Sequence, residues 1–221
     1  EYLTAILYMT PYKVMVDGKH FNSCSMAEQA SCIEGCLYTA GRGKFSNVQT
    51  ARQRKAEWFY RDRVGFMKQL YHDIQKFSNY CKKRGIQPCV RLNGTTDIRW
   101  ELIPAMPHNK MNIFQEFPEV QFYDYTKIPN RKVADYPNYH LTWSYSSANP
   151  KYEELFWDVI RKGMSVAVVF RKPVNMTTWR GYKVVDGDKD DLRFLDPQSS
   201  IVALYAKGAA KHDSTGFVQD I

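Results

Sequence analysis

Residues Tyr152–Phe170 read YEELFWDVIRKGMSVAVVF. Leu155, Phe156, Val159 and Ile160 fall on one face of a helix predicted over Tyr152–Lys162. Gly163 closes it, because the residue just past a helix end often needs a left-handed backbone. Val166-Ala167-Val168-Val169-Phe170 then form an unbroken apolar run. A strand with no polar face is buried on both sides, as happens in a parallel sheet covered by helices. Helix, glycine and apolar strand make one step of an α/β fold.

The same step can be sought on either side. Leu3–Met9, Cys89–Asn93, Val120–Tyr125 and Tyr139–Ser144 read as strands before it, and Tyr182–Val185 and Ile201–Leu204 as strands after it. A basic helix is predicted over about 48–83, with Phe59, Phe66, Leu70, Ile74 and Phe77 as its apolar stripe and Gly85 as its stop. A further helical stretch is expected around Pro104–Phe117. The strands total seven, too few for a closed eight-stranded barrel. The expected architecture is a single α/β domain over 1–221: an open or partial TIM-like barrel of six to seven mostly parallel strands, with an N-terminal cysteine loop over 20–40.

Hydrophobic residues make up 44% and aromatics 14%, enough for a folded core. No apolar run approaches the roughly 18 residues that a membrane-spanning helix needs. Glu1–Thr4 carry no basic-then-apolar signal pattern, so a cytosolic, thiol-reducing setting is expected. The net charge is +8, and Arg42–Arg84 hold twelve basic residues against three acidic ones. The whole excess therefore lies in one segment, as a nucleic-acid or phosphate-binding footprint would have it, or a solvated helix face. Arg54, Arg61 and Lys68, seven apart, are the expected phosphate contacts on the basic helix.

Three of the five cysteines, Cys24, Cys32 and Cys36, lie within thirteen residues, spaced C-x7-C-x3-C. An odd count in a reducing setting disfavours a disulfide framework. Zinc ligand pairs are usually spaced by two to four residues, which only Cys32 and Cys36 satisfy. A longer loop suits a bulkier iron-sulfur cluster. The reading is a 4Fe-4S cluster on these three thiolates, its fourth iron open or bound by another group; His20, Cys81, Cys89 and a carboxylate are candidates. Cys81 and Cys89 read better as buried core thiols.

In parallel α/β folds, ligands sit beyond the carboxyl ends of the strands. Asn93, Thr95, Asp97, Asp124, Lys127 and Ser144 fall there and are the expected substrate or cofactor rim. The run Asp186–Asp191 lacks the closing Glu of a calcium loop, so a solvated turn is favoured over a cation site. His140 and His72 read as structural and exposed residues respectively. No GxGxxG, Walker or GxSxG pattern occurs, which argues against a Rossmann dinucleotide site, a P-loop nucleotidase and a serine hydrolase.

The ordered motifs resemble a family of phage-encoded proteins named after gene product eighty-eight. The resemblance rests on the cysteine cluster with Leu37-Tyr38, then ARQRKAEWFYRDRVGFMKQL, VRLNGTTDIRWE, VQFYDYTK, NYHLTWS and DGDKDDLRFLDP. It implies a phage context, a barrel-like fold and a shared three-cysteine site, placing the protein in the cytoplasm of the infected host cell. A three-cysteine loop after a first strand is also similar to the radical S-adenosylmethionine enzymes, which would make S-adenosylmethionine a cofactor. Those enzymes carry C-x3-C-x2-C with an aromatic before the last Cys; here Gly35 precedes Cys36, and Asn93–Asp97 replace their Gly-Gly-Glu segment. Two readings stand: an iron-sulfur redox or radical enzyme of unknown substrate, and a nucleic-acid-associated phage protein with a structural cluster or zinc site.

Overall fold

A computed structural model describes the backbone of residues 1–221 and every side chain except that of Thr39. In chain order the elements are β1 (Tyr2–Ile6), β2 (Lys13–Val16), β3 (Lys19–Asn22), α1 (Ser46–Arg61), α2 (Arg63–Lys82), β4 (Gln87–Arg91), α3 (Ile113–Glu116), β5 (Gln121–Thr126), β6 (Tyr139–Ser144), α4 (Pro150–Arg161), β7 (Val166–Phe170), β8 (Thr178–Trp179), β9 (Tyr182–Asp186), β10 (Ile201–Tyr205) and β11 (Val218–Gln219). The fold is mixed α/β. Its main sheet has the strand order β1-β4-β5-β6-β7-β10-β9-β8, with β11 beside β7. The β1–β4, β4–β5, β6–β7, β7–β10, β9–β10 and β7–β11 pairings are parallel, and β8 pairs with β9 antiparallel. The order has two ends, so no barrel closes among the described residues.

The chain divides into two compact units, each assembled from separate segments. The first comprises Glu1–Ser23, Gln49–Asp124 and Asn130–His140; the second comprises Cys24–Val48, Tyr125–Pro129 and Leu141–Ile221. In the first unit, α2 turns Phe66, Met67, Leu70 and Ile74 inward. Phe59 and Phe66 meet Trp100 with ring centres 5.3 and 6.5 Å apart. The second unit is built on the opening stretch. Asn149 caps α4 by accepting from the Lys151 N–H, and Pro150 takes the first helical position, where no N–H is needed. Tyr152, Phe156, Val159 and Ile160 pack on Val166, Val168, Phe170, Ile201 and Ala203. Each such side chain contributes about 1.5–3 kcal/mol through burial.

The structure departs from the expected elements in four places. The basic segment is two helices, because Asp62 leaves helical geometry (φ −135°, ψ 78°) and restarts the chain as the cap of α2, accepting from the Gly65 N–H. The stretch around Pro104–Phe117 is mostly irregular: Pro104 and Pro107 break helical bonding, and only Ile113–Glu116 coil, behind an Asn112–Gln115 capping box. Lys13–Asn22 is a hairpin, with Asp17 (φ 50°) and Gly18 (φ 75°) in its turn. An Asp-Gly pair directly after the alternating buried residues Val14 and Val16 is the signal for it. The first strand stops at Ile6, short of Met9.

Candidate functional site

Cys24, Cys32 and Cys36 all lie in the second unit, on a segment of turns that leads into two 3₁₀ turns at Leu37–Thr39 and Gly41–Lys44. The segment lacks the helical periodicity that would pack it, so local bonds and tertiary anchors hold it. The Ala27 N–H donates to the Cys24 carbonyl, the Cys32 N–H to the Ala27 carbonyl and the Cys36 N–H to the Ile33 carbonyl. Ser146, two residues past β6, donates from Oγ to the Ala30 carbonyl at 2.8 Å. Thr215 Oγ1 donates to the Ser31 carbonyl at 3.4 Å. Cys32 packs on both the main core and a smaller cluster of Ala206, Ala210, Phe217 and Val218. Gly35 lies so close to that cluster that a methyl group on it would come within 2.9 Å of Phe217 Cδ1 and 3.4 Å of Ala210 Cβ. The anchors Ser146, Ala206 and the Phe170 region all follow or end parallel strands, so the loop rests at the carboxyl ends of β6, β7 and β10.

The donor chemistry separates the five cysteines into two sets. The loop three are partly exposed, Cys81 and Cys89 are fully buried, and none of the five forms a disulfide. Burial pushes the Cys89 thiol up to about 11, the behaviour of an inert core thiol. Among the described residues no three His, Cys, Asp or Glu side chains are gathered tightly enough to hold a single metal ion. The Cys32 thiol faces the Ala27 carbonyl at 3.8 Å. By donor type, thiolates suit either an iron-sulfur cluster or zinc. His20 lies in the β2–β3 hairpin of the first unit.

Lys127 and Ser144 meet in the second unit. Lys127 Nζ donates to Ser144 Oγ at 2.8 Å and to the Ser144 carbonyl at 3.3 Å, and stands 4.7 Å from the centre of the Phe217 ring. The Lys127 carbonyl accepts from Trp143 Nε1 at 3.2 Å and from the Tyr152 hydroxyl at 3.0 Å, which fixes the lysine backbone.

Asn93, Thr95, Asp97 and Asp124 lie in the first unit and are bound into its scaffold. The Asn93 side-chain oxygen accepts from Thr96 Oγ1, the Ile98 N–H and Trp100 Nε1 at 2.9–3.1 Å. Asp124 accepts from the Asn93 N–H at 2.9 Å and from the Tyr139 hydroxyl at 3.2 Å. Thr95 Oγ1 donates to the Met9 carbonyl at 2.6 Å, and the Asp97 N–H donates to the Ser23 carbonyl at 2.8 Å. Burial pushes the Asp124 carboxyl up to about 6, against the opposing pull of Arg91, the Asn93 N–H, Arg131 and Tyr139.

A pH effect follows from that shift. A carboxyl raised in the folded state adds stability that is complete below its unfolded value, 3.8 here, and is lost as pH rises through about 6. Asp124 therefore reduces stability by about 2 kcal/mol between pH 4 and 6. Urea unfolding of wild type and Asp124→Asn across that range measures it. The variant should gain on the wild type as pH rises, and a constant difference would refute the assignment.

The basic residues do not form the continuous stripe read from the sequence. Arg54 on α1 and Lys68 on α2 are exposed, but the Asp62 break puts them on separate helices. Arg61 is engaged by Asp17 through two hydrogen bonds of 2.9 and 3.1 Å. Arg52 is buried with its guanidinium 4.8 Å above the Tyr8 ring, and Arg63 lies 3.9 Å above Phe59. The Asp186–Asp191 run is a structured turn: Asp186 accepts from the Asp188 N–H, Asp188 from the Tyr205 N–H and Lys207, and Asp190 from the Leu192 N–H and Arg193.

Several organising residues escaped the sequence reading. Phe217 and Gly35 form the seat of the cysteine loop, yet a lone Phe near the end of the chain carries no pattern. Arg180 (φ 51°) turns the β8–β9 hairpin, pairs with Glu153 of α4 and lies 4.4 Å over Trp179. The Tyr145 hydroxyl also donates to Glu153, so the hairpin is latched to α4. An Arg-Gly turn between two short strands is a weak signal.

No helix is long and apolar enough to cross a membrane among the described residues. Comparison with curated proteins and with solved structures finds no match, so the similarity to the radical S-adenosylmethionine enzymes gains no support from them. The sequence profile described as Gene product 88 matches residues 1–221. That match spans every motif from the cysteine loop to the acidic turn, and the chain belongs to the phage Gene product 88 family.

Proposed function

We propose that this protein binds a 4Fe-4S cluster through Cys24, Cys32 and Cys36 and that the cluster serves redox or radical chemistry on a small molecule. One observation carries the reading: the three partly exposed thiols sit on an irregular loop anchored at the carboxyl ends of β6, β7 and β10. That is where parallel α/β folds place their ligands. The parallel pairing of β7 with β6 and β10 supports a strand-end scaffold for it. When bound, the cluster supplies one-electron chemistry. The protein supplies three thiolates, a scaffold that seats the loop, and the Lys127–Ser144 pair beside it. Three donors leave one iron to a non-cysteine ligand, and S-adenosylmethionine is the cofactor to test there first. The family's phage context supports placing this work in the cytoplasm of the infected cell.

The nucleic-acid reading has less support, since Arg61, Arg52 and Arg63 are each engaged by the protein. Anaerobic reconstitution with iron and sulfide, followed by metal and acid-labile sulfide analysis, tests the proposal. Near-stoichiometric cubane content with broad visible absorption is expected. A preparation that takes up zinc and excludes iron would overturn it.

A further inference from the structure

We propose that the cleft beyond the carboxyl ends of β7 and β11 binds a small organic anion, an anionic head on an apolar body, with Lys172 as its ionic anchor. The cleft has a volume of about 480 Å³. That falls in the range of small-molecule sites, about 300–1,000 Å³. Two segments of the second unit line it: Arg171–Met176, which follow β7, and Asp220–Ile221, which follow β11. The two strands pair in parallel, Val169 with Val218 and Phe170 with Gln219, so both segments leave the sheet at the same end. Beyond the carboxyl ends of parallel strands is where α/β folds bind their ligands.

Arg171 ties the two segments together. Its backbone N–H donates to the Gln219 carbonyl at 3.0 Å. Its Nε and Nη2 donate to the Asp220 carboxylate at 2.5 and 3.1 Å, and its Nη1 and Nη2 to the Lys211 and Asp213 carbonyls, both at 2.8 Å. All three guanidinium nitrogens are thus engaged by the protein. The same contact holds the Asp220 carboxyl below the usual carboxylate range, so Asp220 is charged and already matched. Lys172 differs. It is exposed and forms no ion pair among the described residues. Among the side chains lining the cleft, one positive charge therefore remains unmatched. Asn175, also exposed, adds an amide donor. Val174 and Met176 are half-buried and present apolar surface, and Val174 packs against the core of the unit, which fixes that part of the lining. Met176 can adapt its shape to an occupant. A mostly apolar cleft with a few polar groups is the form of small-molecule sites. One unmatched cation selects one anionic head; a cation would be repelled by Lys172, and a polyanion would need more partners than the cleft offers.

The test is a titration of isotope-labelled protein with hexanoate, hexyl phosphate and hexylammonium, read from the amide resonances of Lys172, Val174, Asn175 and Met176. Both anions should shift these amides and saturate, at about 1 mM for probes of this size, and hexylammonium should not. Whichever anion binds more tightly identifies the head group as carboxylate or phosphate. Lys172→Met should weaken both about tenfold, the loss of one charge-assisted hydrogen bond, and Lys172→Arg should keep the affinity. Met176→Trp, which fills the cleft, should block both. Lys172 is exposed, so its variants keep the fold. No saturable shift at these amides, an equal response to hexylammonium, or an unchanged affinity in Lys172→Met overturns the inference. No cysteine lines the cleft, so either outcome leaves the cluster reading untouched.

Discussion

Replacing Cys24, Cys32 or Cys36 singly by Ala should abolish cluster assembly, whereas Cys81→Ala and Cys89→Ala should keep it. The contrast comes from position. The first three thiols are partly exposed on one irregular loop; the other two are fully buried, in α2 and β4, the second with its thiol pushed up to about 11 by burial. A ligand must be deprotonated, and burial in apolar surroundings opposes that. Removing one of three thiolates leaves two, too few to hold a cubane. The loop should also loosen, because it has no regular backbone ladder of its own and metal binding energy is partly folding energy. Iron and labile sulfide per chain, after identical reconstitution, measure the first effect. Protease susceptibility around Cys24–Cys36, with and without iron, measures the second. Cys81→Ala and Cys89→Ala should show full iron and some lost stability, of the size expected for a small core truncation. Equal iron in the three loop variants and the wild type would remove these cysteines from the site.

How far the fold could be read in advance depended on what kind of information each element carries. The step from α4 to β7 was legible because its apolar residues sit at helical and then continuous spacing, and the observed helix differs from the expected one by two residues at its start. Those two residues, Pro150 and Lys151, follow a capping Asn149 that is visible in the sequence. The break at Asp62 was not legible from periodicity, since Phe59 and Phe66 keep their seven-residue spacing across it. It is visible only as an Asp three residues before Gly65, a cap whose acceptor role needs the backbone. Of the residues that the strand-end rule singled out, Lys127 and Ser144 are hydrogen-bonded to each other. The rule also gathered Asn93 and Asp124, but as a buried scaffold. Alternation along a strand cannot tell a polar residue that serves a ligand from one that holds a neighbouring loop. That difference lies in long-range partners such as Tyr139 and Trp100.

Arg131→Met should destabilise the protein by about 3–5 kcal/mol, the cost of breaking a buried ion pair by removing one partner. The Arg131 side chain is fully enclosed and meets Glu101 through Nε at 3.0 Å and through a second, shorter contact. It also donates to the Tyr139 hydroxyl at 3.0 Å and lies 3.5 Å from the Asp97 carboxylate. Without it, Glu101 and Asp97 keep their charges in a place from which water is excluded. Asp124 loses one of the cations that oppose its burial. The carboxylates would then need to be protonated, so the loss should shrink as pH falls, the reverse of what a mere packing defect would do. The double variant Arg131→Met/Glu101→Leu removes the stranded charge along with its partner. It should recover much of the loss, because replacing both members of a buried pair by apolar residues is often neutral. Urea unfolding of the two single variants and the double, at pH 5 and pH 7, gives the coupling. Additive losses would mean that Arg131 contributes through its alkyl packing and the ring of Tyr139, 5.4 Å away, and not through charge.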